Sequence, residues 1–280
     1  MHVQVGDVRL FFDVEGAKLV PDGPAMRERP TVLLLHGGPG FDHSGYKPLF
    51  SRLAEDAQVV YLDHRGQGRS EKSTPERWTL DQWADDVCDF CDALGIEKPV
   101  VLGNSFGGMV AMAYAIRHPD HPAKVVFSST SARQNLPRML DRFEKFGGPE
   151  ARHAAERFWK DPGPATLPDY VTKSFSAYSR TPRDPHANAR TRWALDVMFH
   201  FAADEDRRFD LLAGLARVRC PALVVGGALD PVCPIEDQEE IAAALPPALA
   251  RFERFEDCGH GVYRDDPDRF FALFREFIAA

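Results

Sequence analysis

Ser105, Asp230 and His260 are the residues around which chemistry can be built. Ser105 lies in "GNSFG" (Gly103–Gly107), which fits G-x-S-x-G. A serine hydroxyl is a weak nucleophile until a base takes its proton and an acid orients that base. "DCGHG" (Asp257–Gly261) offers His260 in a glycine-flanked loop, and "GGALDPVCP" offers Asp230 in a turn. Their order along the chain, serine then acid then histidine, is one in which this constellation occurs. Asp257 and Glu256 are the alternatives for the acid. Cys258 adjoins His260, but a thiol nucleophile would leave Ser105 without a role.

Attack on a carbonyl also creates an oxyanion, which backbone N–H groups can stabilise. One expected donor is Phe106, the residue after the nucleophile. The other is expected in "HGGPG" (His36–Gly40), where Gly38 is favoured and Gly37 is the neighbour placed to touch substrate. His36 reads as a residue that holds this loop, because the base position is already filled. No cofactor is expected, and no metal. "HPDHP" (His118–Pro122) carries two histidines, but its prolines make it a loop and no third ligand is evident in sequence. "CDFC" (Cys88, Cys91) has redox spacing, yet it falls mid-helix, away from the helix N-terminus that would stabilise a thiolate. It reads as buried thiols.

The elements that must position these residues alternate. "HVQV-GD-VRLFFDV" is a hairpin signal. "TVLLL", "AQVVYLD", "KPVVLGN" and "AKVVFSS" are short apolar runs typical of strands buried on both faces. "SGYKPLFSRLAED" has helical capacity. "TLDQWADDVCDFCDALG" opens with Thr79 and Gln82 in capping-box spacing and closes on Gly95. "FGGMVAMAYAIRH" follows the serine as a helix, so Ser105 falls where a strand ends and a helix begins. In a tight strand–turn–helix, side chains two residues to either side would collide, which accounts for glycine at 103 and 107. "LVPDGPAMRERP" (Leu19–Pro30) reads as a loop.

Strands alternating with helices predict an α/β fold, a mostly parallel central sheet with helices on both faces. The alternation stops between Ser131 and Arg219, where helices are expected at Leu136–Phe146, Ala151–Trp159 and Ala187–Phe201. It resumes with "CPALVVGG", a helix at Ile235–Leu245, "ARFERFED" and a helix at Pro267–Ile278. Residues 1–130 and 220–280 therefore form the expected core domain, and 131–219 an inserted helical cap. Trp193, Val197 and Phe201 recur at helical spacing in the cap, and Trp193 is taken to face substrate. "DED" (Asp204–Asp206) reads as a solvated charge run.

The chain has 280 residues, 44% of them hydrophobic, and a formal charge of −8. That acidic balance disfavours nucleic acid as a partner. The mean hydropathy of −0.32 and the glycine-broken apolar run around Ser105 disfavour a membrane span. The N-terminal stretch lacks a basic region followed by an apolar core, so no signal peptide is read and a cytoplasmic location is expected. The five cysteines are then free thiols rather than a disulfide framework.

With "HGGPG" at 36–40, "DHRGQGRS" at 63–70, "GNSFGG" at 103–108, Asp230 and "CGHG" at 258–261, the chain resembles the α/β-hydrolase-fold serine hydrolases, and within them the proline iminopeptidase-like group. The resemblance implies the α/β-hydrolase fold, a triad of Ser105, Asp230 and His260, an oxyanion hole at Gly38 and Phe106, and loop-fixing roles for Asp63 and Arg65. It fades in the cap, and Phe106 stands where that group carries tryptophan. The expected activity is cofactor-free hydrolysis of a small carboxylic ester or lactone through an acyl-enzyme. The alternative is an aminopeptidase acting on a short amide. A carbon–carbon bond hydrolase and a non-catalytic ligand receptor on the same fold rank behind both.

Overall fold

In the computed structural model, which describes residues 1–182 and 184–280, the alternating run at the start of the chain forms the expected hairpin. β1 (His2–Val5) turns at Gly6 and Asp7 into the antiparallel β2 (Val8–Glu15). "LVPDGPAMRERP" is not a loop. It pairs as β3 (Leu19–Asp22) with β4 (Ala25–Glu28) around Gly23, whose φ is +60°. Nearly all of this hairpin is exposed, so backbone pairing with exposed ion pairs, such as Arg27 with Asp22, forms it and no apolar alternation was there to read.

The main sheet adds β5 (Thr31–Leu35), β6 (Gln58–Leu62), β7 (Val100–Asn104), β8 (Lys124–Ser128), β9 (Ala222–Gly227) and β10 (Ala250–Phe255). Its order is β1-β2-β6-β5-β7-β8-β9-β10. β2 meets β6 antiparallel, and every junction from β6 to β10 is parallel. The wholly apolar runs of β5, β7 and β9 are buried along their length. Their side chains alternate between two cores, as the two-residue period of a strand requires. Leu33 and Val101 join Trp83, Phe90 and Val110 on one face, while Leu34 and Leu102 join Phe271 and Phe274 on the other. A fully buried phenylalanine such as Phe274 contributes roughly 1.5–3 kcal/mol.

α1 (Leu80–Leu94) starts at Thr79, whose side chain accepts from Gln82 N, and ends at left-handed Gly95. The box is half closed, since Gln82 Oε1 accepts from Arg77 Nη1 rather than from Thr79 N. α2 (Phe106–Arg117) follows the serine. "SGYKPLFSRLAED" forms two short 3-10 turns, His43–Tyr46 and Leu49–Leu53, rather than one helix. Pro48 divides them, because the residue before a proline is driven to extended backbone and Lys47 sits at ψ 143°.

Among the described residues between β8 and β9 the regular elements are helices, with an isolated bridge of Arg133 with Asp210 near the two ends. α3 (Leu136–Lys160) is bent at Gly148, φ +83°, so its halves match the two helices expected there. The helix expected over 187–201 breaks into Ala187–Arg190 and Leu195–Ala203. The break frees two amides for the loop after β5: Arg192 N donates to Asp42 Oδ2 and Ala194 N to Gly40 O. The two helices expected after β9 lie at Ile235–Ala244 and Pro267–Ala279, with a single turn, Val262–Asp265, between them. Among the described residues no helix is long and apolar enough to cross a membrane.

Candidate active site

β7 ends at Asn104 and α2 begins at Phe106, so Ser105 alone makes the turn, at φ 57° and ψ −123°. A non-glycine residue there stores of order 1–3 kcal/mol of strain, which the surroundings must hold in place. The glycines explain how. A Cβ on Gly103 would lie 2.0 Å from Gly107 O, and one on Gly107 would lie 1.9 Å from Leu35 O. Gly108 is needed as well, since its Cβ would stand 2.5 Å from the Thr130 side chain.

Asp230 follows β9 in a buried turn. Its Oδ1 accepts from Val232 N at 2.8 Å and Cys233 N at 3.0 Å. His260 lies in the loop after β10, where its N donates to Tyr178 O at 2.5 Å. Gly259 is required beside it, because a Cβ there would come 2.3 Å from the same Tyr178 carbonyl. His260 Nδ1 donates to Asp230 Oδ2 at 2.8 Å, which leaves Nε2 to accept from Ser105 Oγ at 2.9 Å. The three sequence-predicted residues are thus one hydrogen-bonded chain, able to draw a proton off a serine hydroxyl. Glu256 and Asp257 are exposed, and Glu256 pairs with Arg254.

Phe106 opens α2, where backbone amides have no partner within the helix. Its ring is buried edge-on to Trp83 and Phe201, so the amide end rather than the side chain adjoins the serine. Gly37 backs onto the nucleophile, with its Cβ position 3.4 Å from Ser105 Cβ. Gly38 turns at φ +128°. His36 holds this loop: Nδ1 donates to Gly37 O at 2.8 Å, and Nε2 accepts from His64 N at 3.2 Å. Burial pushes its pKa down, consistent with a neutral imidazole that uses both nitrogens. Asp63 accepts from His43 and from Arg69 N, and Arg65 grips Asp86 with two bonds of 2.7 Å. Neither side chain lines the cavity around Ser105.

A cavity of about 600 Å³ opens on Ser105 and His260. Gly37, Gly38, Phe106 and Trp193 line it, and Trp193 packs edge-on to Phe41 at 4.9 Å. Phe158 and Tyr170 line it too, stacked at 4.6 Å.

Sequence reasoning placed Asp204–Asp206 in solvent, and Asp206 corrects it. Asp204 is exposed and pairs with Arg208, but Asp206 is buried and lines the cavity. Gln134 Nε2 donates to Asp206 Oδ2, and burial pushes the carboxyl up to about 7. A three-residue acidic run gives no sign of which member turns inward. Asp265 was also missed. It accepts from Gly259 N at 2.8 Å and from Ser179 and Thr181, tying the His260 loop to the helical segment. "YRDDP" shortly after His260 was the available signal.

Folding also changes the reading of the two unused motifs. Cys91 is buried but Cys88 only half so, and His121 meets Cys88 and Asp92, a third ligand type that spacing along the chain did not suggest.

The sequence profile of the family described as alpha/beta hydrolase fold matches residues 30–267. A putative carbamate hydrolase, RutD, of Caulobacter vibrioides (strain NA1000 / CB15N) is 29% identical over 85% of this chain and 87% of its own length. A proline iminopeptidase of Lactobacillus helveticus is 26% identical over 90% of each chain. The crystal structure of proline iminopeptidase from Mycobacterium smegmatis superposes with a TM-score of 0.78 at 23% identity, covering 100% of this chain and 97% of that one. At that identity the structural likeness speaks to the fold.

Proposed function

The chain belongs to the α/β-hydrolase fold family, and on that premise we propose that it is a serine hydrolase cleaving a small carboxylic ester or lactone through an acyl-enzyme. The observation that carries the reading is the Asp230–His260–Ser105 chain, with bonds of 2.8 and 2.9 Å, opening on the cavity. In this mechanism Ser105 Oγ attacks the substrate carbonyl as its proton passes to His260 Nε2, and Asp230 stabilises the imidazolium. The N–H groups of Phe106 and Gly38 receive the oxyanion, each worth about 2.7–4 kcal/mol of transition-state stabilisation. His260 then protonates the departing alcohol. Water, deprotonated by the same imidazole, releases the acid and restores Ser105. The reaction so written uses no cofactor.

Residues 131–219 act as the cap, and their apolar underside suits an acyl or aromatic group. Trp193 and Phe41 form one wall of that pocket. The relatives named above, a putative carbamate hydrolase and a proline iminopeptidase, support hydrolysis as the reaction class. Asp206 favours a second reading, an aminopeptidase. A protonated amine is costly to desolvate unless a carboxylate meets it, and Asp206 is a carboxyl on the cavity wall.

The test is fluorophosphonate labelling followed by kcat/KM for aryl esters, a lactone and a prolyl arylamide, in the parent and in Asp206→Asn. Labelling at Ser105, good ester turnover and poor arylamide turnover are expected. In the variant, ester turnover should stay within about threefold, since an uncharged ester makes no ionic contact to lose. Arylamide turnover that is efficient and then drops about tenfold to a hundredfold in the variant would replace the ester reading with the aminopeptidase. Absence of labelling would remove both.

A further inference from the structure

Two sequence features stand outside the site just described: the cysteines within α1 and the "HPDHP" turn after α2. Folding sets them side by side, because α1 and α2 pack along one another. Cys88 and Asp92 are one helical turn apart on α1 and so share a face. His121 comes from the turn that leads into β8. One ligand atom from each of the three lies within 4.8 Å of the others. His121 Nε2 stands 3.7 Å from Asp92 Oδ1, too far for a hydrogen bond. That nitrogen is buried and makes no hydrogen bond. The ring is held from behind, where Nδ1 is bonded to the Tyr114 hydroxyl. A buried imidazole nitrogen left unpaired costs free energy unless something occupies the gap it faces.

We propose that Cys88, Asp92 and His121 bind a divalent transition-metal cation of the zinc type, at a site separate from the Ser105 cavity. Thiolate, imidazole and carboxylate are the donors that zinc accepts, at about 2.0–2.3 Å, which sets donor atoms roughly 3.3–3.7 Å apart in a tetrahedron. The present cluster needs only a modest contraction to reach that, and exposed Asp92 has the freedom to supply it. Tyr114 is the outer partner that fixes which nitrogen of His121 points inward. Asp89 adds negative charge around Cys88, while Asp85 is already paired with Arg117 and His118, and His118 and Lys98 stand beside His121. On binding, the Cys88 thiol gives its proton to solvent and the ion gains a thiolate, with no change of oxidation state. Three protein donors leave the fourth position to water. None of the three residues lines the Ser105 cavity, so the ion ties the C-terminal half of α1 to the turn before β8 and leaves hydrolysis alone.

The test titrates the metal-stripped full-length protein with Co²⁺, reading the thiolate-to-cobalt charge-transfer band, and then displaces it with Zn²⁺. One ion per chain is expected, and Zn²⁺ should raise the melting temperature by a few degrees. Cys88→Ser should abolish the band, and His121→Gln should weaken Zn²⁺ binding by about tenfold or more. Both variants should keep their circular dichroism spectrum and aryl-ester turnover. No band and no zinc retained on equilibrium dialysis would overturn the proposal. So would a band that persists in Cys88→Ser, or unchanged affinity in His121→Gln.

Discussion

The carboxyl edge of the sheet and the helical segment above it build one cavity by different means. At the edge the backbone does the holding. Ser105 is fixed by a turn that tolerates only glycine at 103 and 107, and Asp230 is fixed by two main-chain N–H groups. His260 is fixed by the Tyr178 carbonyl. Above it, side chains hold side chains: Gln134 meets Asp206, Tyr170 bonds Tyr178, and Phe158 stacks on Tyr170. Backbone geometry allows few substitutions, while a wall of packed side chains can be rebuilt more freely, so long as the Tyr178 carbonyl still meets His260. The proposed chemistry therefore belongs to the edge, and the choice of substrate to the wall.

Substitutions at the edge should then strike turnover itself. Ser105→Ala is expected to lose about 10³–10⁶ in kcat while keeping its circular dichroism spectrum. Near-parental turnover would sink the mechanism. Asp230→Asn should cost about 10²–10⁴, because an amide cannot hold the same histidine tautomer or stabilise an imidazolium. Exposed Asp257→Asn should stay within about threefold, in keeping with the small worth of exposed charges. If Asp257→Asn proved the more damaging, the acid would have to be reassigned.

The same contrast decides what was legible in the sequence. The elbow was readable because its glycines answer to a local clash, written two residues to either side of Ser105. The buried strands were readable because an apolar run bounded by turns has few other uses. The β3–β4 hairpin was not, since it buries no face and leaves no pattern. The break at 191–194 was not, because its cause lies in the loop at Gly40 and Asp42, far off in the chain. Asp206 and its neighbour Asp204 look alike in sequence, and only packing against Gln134 separates them.

Asp265 joins the two regions and sharpens the division between them. It bonds Gly259 N below and Ser179 and Thr181 above. Asp265→Ala should loosen the His260 loop and lower kcat by roughly tenfold to a hundredfold, the usual penalty for misplacing a reacting group by about 1 Å. Unchanged kcat with a lowered melting temperature would make Asp265 a tether to the helical segment only.

The last effect concerns stability rather than turnover, and it tests whether the wall is built for a ligand. Burial lifts the Asp206 carboxyl from an ordinary 3.8 to about 7. Between those values the folded protein holds a proton that the unfolded chain releases, so this group's contribution to stability falls as pH rises through the window. Below it both states are protonated and the group contributes nothing. Above pH 7 both are ionised and the penalty is complete, at about 4 kcal/mol for three pKa units. Asp206→Asn removes the charge but keeps an acceptor for Gln134. The variant should be more stable than the parent by about 2–4 kcal/mol at pH 8, and the gap should close near pH 4, measured by urea unfolding at each pH. A gap that does not change with pH would mean that Asp206 is hydrated, and the wall would then be ordinary surface. A gap that opens with pH marks a carboxyl retained at a cost to folding that its Gln134 bond does not offset.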